Sequence, residues 1–87
     1  MIIKAEVYEG TILKIKEVLH GRIPAWKNQY DEEYDEDDNN AHRVEMLCDG
    51  TVVICLCGEA NEANEMQFLH PLFGPVWVPV DQFDRFE

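Results

Sequence analysis

From Asp31 to Asp38 the chain reads DEEYDEDD, seven carboxylates in eight residues, interrupted by Tyr34 and preceded by Tyr30. Carboxylates at this density can ligate a hard cation, share protons in acid–base catalysis, or pair with basic groups on another molecule. The calcium pattern begins well, with Asp35, Asp37 and Asn39 at positions one, three and five of an EF-hand loop. It then fails, because Asn40 stands where a glycine is needed and Met46 where a bidentate glutamate closes the site. Acid–base catalysis needs two carboxyls held in environments that separate their pKa values, and a solvated run supplies no such difference.

The remaining candidates for chemistry are three cysteines (Cys48, Cys55, Cys57) and three histidines (His20, His42, His70). A zinc site could draw on His42, Cys55, Cys57 and His70, but structural zinc favours paired Cys-x-x-Cys ligands and only Cys-x-Cys is present. Buried apolar cysteines in a sheet are the simpler expectation. Nothing in the spacing places a thiol beside an imidazole and an oxyanion site, so no catalytic residue, metal site or cofactor is expected. The expected class is a binding protein, not an enzyme.

Charge narrows the partners. Residues 1–30 hold Lys4, Lys14, Lys16, Arg22 and Lys27 against Glu6, Glu9 and Glu17, whereas residues 31–87 hold fifteen carboxylates against Arg43 and Arg85. The net charge of −11 repels nucleic acid and anionic lipid and speeds encounter with basic surfaces. At 87 residues there is room for one domain, whose 46% hydrophobic content suffices for a core. No stretch approaches a membrane span and MIIKAEVYEG lacks a signal-type apolar region, so a cytoplasmic location is expected. Oligomeric state is not legible.

The elements that must position these residues read as mainly β. Residues 2–8 alternate as a half-buried strand, Glu9-Gly10 offers a turn, and residues 11–18 suit a strand better than a helix because of Gly10, Gly21 and the β-branched residues. Residues 20–41 lose all period and read as a long acidic loop, pinned by Ile23, Ala25 and Trp26. RVEMLC-DG-TVVICLC then predicts a two-residue hairpin, facing Cys48 with Thr51, Met46 with Val53, Val44 with Cys55 and His42 with Cys57. Its second strand is apolar on both faces and therefore expected inside a sheet. Ala60, Ala63 and Met66 at spacing three predict a short amphipathic helix or helical turn over 59–67 with Glu59, Glu62 and Glu65 outward, and the prolines beyond it leave Val76-Trp77-Val78 as only a short strand before the turn VDQFDRF.

The tail GPVWVPVDQFDRF resembles the end of SH3-like barrels: an apolar strand, a proline, one 3₁₀ turn and a last short strand, with Trp77, Pro79, Phe83 and Phe86 at the matching positions. The resemblance implies a five-stranded SH3-like barrel, and an antiparallel meander with one helical turn is the alternative. The barrel reading also implies an interaction module or small subunit docking through Trp77, Phe83 and Phe86. The proline-peptide groove of eukaryotic SH3 domains does not carry over, because the long acidic segment falls between the second and third strands.

In size, acidity and the stretch AWKNQYDEEYDEDDNN the chain resembles the small phage-encoded inhibitors that mimic DNA, among them anti-CRISPR, anti-restriction and glycosylase-inhibitor proteins. That resemblance implies an anti-defence inhibitor in the host cytoplasm, with Asp31, Glu32, Glu33, Asp35, Glu36, Asp37 and Asp38 standing in for phosphates on a basic, nucleic-acid-binding surface of a partner enzyme. Trp26, Tyr30 and Tyr34 would add aromatic contacts of the kind enriched at interface hot spots. A third reading is a protein that sequesters a nucleotide-like ligand around Lys14, Lys16 and Arg22. A loop that only solubilises the chain is the plain alternative to all three.

Overall fold

The computed structural model describes residues 7–87, and the strand expected over 2–8 lies for the most part outside them. Val7 is buried and Tyr8 exposed, both in irregular backbone, before a turn at Glu9-Gly10. Six strands follow: β1 (Ile12–Lys14), β2 (Arg22–Trp26), β3 (Arg43–Leu47), β4 (Val52–Cys55), β5 (Glu65–His70) and β6 (Gly74–Pro79). A five-residue helix α1 (Glu36–Asn40) precedes β3, and a 3₁₀ helix η1 (Val80–Arg85) follows β6. The strands form one open antiparallel sheet in the order β1-β4-β5-β6-β2-β3, so the architecture is mainly β with only short helices.

Period-two burial builds the core. Leu13, Val53, Cys55, Met66, Phe68, Val76, Val78, Ala25, Ile23 and Met46 all point to one side of the sheet and are buried. The 3₁₀ helix closes over them: Phe68 stacks on Phe86 with ring centroids 5.6 Å apart and meets Phe83 edge-on at 5.7 Å. Phe86 also bridges to Ile15, which ties the end of the chain to β1. Strand, Pro79, 3₁₀ turn and a last bridged residue therefore occur in the order expected for the tail. Phe83 and Phe86 are core residues, however, and of the three proposed tail anchors only Trp77 stays half-exposed.

Three expectations are corrected. First, residues 20–41 are not one loop, since β2 and α1 lie within them. Ile23 and Ala25 supply a strand's alternation, and Pro24 masks it. Gly21 bonds with Cys48 and Lys27 with His42, so by antiparallel alternation Pro24 turns its nitrogen away from β3. On that other side β2 meets β6 only at Trp26↔Trp77, so no ladder bond is lost. The same reasoning lets β6 run the full six residues from Gly74 to Pro79, longer than expected, with Pro75 and Pro79 facing the sparsely paired side.

Second, β3 and β4 do not pair: β3 is an edge strand on β2, and β4 lies between β1 and β5. A type I′ turn needs positive φ at both central residues. Only Gly50 has it (φ 83°), while Asp49 bends the chain by accepting hydrogen bonds from the Thr51 N–H and hydroxyl. The chain thus leaves the β2–β3 end of the sheet and rejoins it beside β1. There the Val18 N–H donates to the Cys48 carbonyl at 3.0 Å, and Gly21 sits so close that a Cβ would lie 2.9 Å from that of Cys48.

Third, residues 59–67 form no helix. Asn61 Oδ1 accepts from the N–H groups of Ala63 and Glu65 at 3.0 and 2.8 Å, and Asn64 adopts φ 59°, which ends any helical run and launches β5. Among the described residues no helix is long and apolar enough to cross a membrane.

Candidate partner-binding cleft

The acidic segment is folded by its own side chains. Asp35 is the N-cap of α1, its carboxylate accepting from the Asp38 N–H at 2.9 Å, and Glu36, Asp37 and Asp38 occupy the first turn, where the helix dipole favours negative charge. One turn on, Asn39 is buried and acts as the hub. Its Oδ1 accepts from the Asp31 N–H at 3.1 Å, while its Nδ2 donates to the carbonyls of Asp31 (3.0 Å) and Asp35 (3.2 Å) and, at 3.4 Å, of Tyr34. A second anchor comes from β5. Buried Glu65 accepts from the Tyr30 N–H at 3.2 Å and from Asn61 Nδ2 at 3.1 Å, and Asn61 also reaches Gln29.

These anchors leave a cleft between the acidic segment and the Asn61–Glu65 turn. Half-buried Trp26 and exposed Tyr30 line it, with Asp31, Glu32, Glu33 and Glu36 on one wall and Glu62 and Glu65 on the other. No lysine, arginine or histidine lines it among the described residues. Six carboxylates and two aromatic rings thus face one space, a surface suited to guanidinium and ammonium groups that pair with carboxylates and lie on aromatic faces. Trp26 already carries one such group from its own chain, with the Arg43 guanidinium over its ring, 5.7 Å from the centroid.

The ten expected binding residues divide. Trp26, Tyr30, Asp31, Glu32, Glu33 and Glu36 come together in the cleft, whereas Tyr34, Asp35, Asp37 and Asp38 do not line it. Asp35 is occupied with capping, and Tyr34 stands out at 59% exposure. Glu62, Glu65 and the hub Asn39 escape a reading of the sequence alone. The two glutamates read as the outer face of a helix that does not form, and Asn39 as position five of a calcium pattern that fails.

The other chemistry-bearing groups are scattered. Among the described residues no three histidine, cysteine, aspartate or glutamate side chains are placed to hold a metal ion. Cys48 and Cys55 are buried and Cys57 exposed, all as free thiols; burial pushes the Cys55 thiol up. His70, at the end of β5, is buried against Phe73, and its Nδ1 accepts from the N–H groups of Leu72 (3.0 Å) and Phe73 (3.3 Å). Desolvation lowers its pKa, partly offset by the charge of Asp49. Arg22 shares a groove with Glu45 and Asp49, whose carboxylates compete with any anion there. No family model, curated protein or solved structure matches this chain.

Proposed function

We propose that this chain is a binding protein that captures a basic surface of a partner protein, of the type that ordinarily binds nucleic acid, in the cleft floored by Trp26 and Tyr30. The observation that carries this reading is the convergence of six carboxylates and two aromatic rings on one space with no cation among the described residues that line it. Repulsion within such a group favours an incoming polycation, and hydrogen bonds through Asn39 and Glu65 hold the backbone in place beforehand, which lowers the ordering cost of binding. The rings supply contact area that exposed ion pairs alone, worth about 0–1 kcal/mol each, do not. In this role the chain acts as an inhibitor, its carboxylates taking the place of phosphates.

The test is a lysate pull-down that identifies bound enzymes, followed by titration of the captured enzyme with wild type and with Asp31→Asn/Glu32→Gln/Glu33→Gln/Glu36→Gln. These four replacements spare the Asp35 cap, Asn39 and Glu65. The expected result is competition with duplex DNA, a steep decline of affinity with salt, and loss of binding in the neutralised variant. Retention of wild-type affinity by a folded neutralised variant overturns the proposal.

A further inference from the structure

Among the described residues nothing pairs with the outward side of β3. Because Ile23↔Met46 and Ala25↔Val44 are the hydrogen-bonded pairs with β2, the backbone N–H and C=O groups of Arg43, Glu45 and Leu47 point away from the sheet. No partner for them occurs among the described residues. Exposed edges invite another strand, and charged side chains commonly guard them. Here the guard is the ion pair Arg43 Nη2–Glu45 Oε1, 2.8 Å long, with the two side chains 45% and 38% exposed.

This guard is self-complementary. We infer that β3 pairs antiparallel with β3 of a second copy, about a two-fold axis at Val44. That register sets Arg43 opposite Glu45 of the other copy and Glu45 opposite its Arg43, and makes both pairs hydrogen-bonded. Opposite charges face each other twice, on the outer face where Trp26 already braces the Arg43 guanidinium. Of the neighbouring symmetric registers, the one centred on Glu45 sets the two Glu45 carboxylates against each other and the one centred on Met46 sets Glu45 against Leu47, so neither matches Arg43 with Glu45. The charge pattern thus selects the occupant and the register together. The two sheets become one of twelve strands, and Val44, on the inner side, takes no part in the exchange of ion pairs.

Sedimentation velocity over a concentration series at fixed salt tests this inference. Wild type is expected to pass from the mass of one 10.1 kDa chain to twice that mass as concentration rises. Arg43→Glu or Glu45→Arg alone places like charges opposite each other and weakens dimerisation about tenfold or more, and the double exchange Arg43→Glu/Glu45→Arg restores it. Glu45→Pro, which removes an outward N–H and leaves the β2 ladder whole, abolishes it. Circular dichroism confirms the fold of each variant. A monomeric wild type into the millimolar range, single variants that dimerise like wild type, or a folded double exchange that stays monomeric overturns the inference.

Discussion

At the scale of single residues, the chain repeatedly uses one polar side chain to hold a stretch of backbone. His70 does so at the β5–β6 turn, and its chemistry makes the turn sensitive to acid. Nδ1 can accept the Leu72 and Phe73 N–H groups only while it carries no proton. Folding lowers the His70 pKa from the ordinary 6.5, so the unfolded chain takes up the proton first. The contribution of His70 is therefore whole above about pH 6.5 and declines as pH falls from there toward the folded-state pKa. Urea denaturation between pH 7.5 and about 5.5 should show stability falling with acid, and His70→Gln should flatten that slope. An unchanged slope in the variant would assign the decline to other groups. Neither His70 nor Asn39 announces its role in the sequence, because the role comes from burial, and burial depends on neighbours far along the chain. The aromatic–acidic character of 26–36 is legible, since it is a property of residue types alone.

At the scale of elements, legibility follows how local the determinant is. Leu13 and Ile15 alternate with charged neighbours and are buried in or beside a strand, and VDQFDR forms the expected 3₁₀ turn. Pairing is another matter: Asp49-Gly50 has the composition of a hairpin turn, but an Asp side-chain turn and the approach of Val18 to Cys48 send the chain elsewhere. The acidic segment is an element of this second kind, short and held by non-local hydrogen bonds rather than by propensity. A five-residue helix is too short to persist alone. Asn39→Ala removes the hub and should cost about 1–3 kcal/mol of stability, by loss of buried hydrogen bonds. Hydrogen exchange should then rise across residues 30–38 while the β5–β6 ladder keeps its protection. Uniform loss of protection would instead mean that the segment and the sheet unfold as one unit.

At the scale of the whole molecule, the mainly β class is legible from alternation, whereas the order β1-β4-β5-β6-β2-β3 is not, because it depends on which edges meet after collapse. Charge is arranged at this scale too. Six carboxylates line one cleft with Trp26 and Tyr30, while Lys14 lies on β1, Arg22 at the opposite end of β2 from Trp26, and Arg43 on β3. The same architecture sorts the three thiols, with Cys48 and Cys55 on the core side and Cys57 in solvent just past β4. One consequence is a built-in folding clock. A brief pulse of iodoacetamide should add one carboxamidomethyl group per native chain and three per unfolded chain, so intact-mass spectra taken along a denaturation series count folded molecules directly. Three adducts on the native chain would show that the sheet opens within the pulse, and a fluorophore placed at Cys57 leaves all eleven cleft-lining residues chemically untouched.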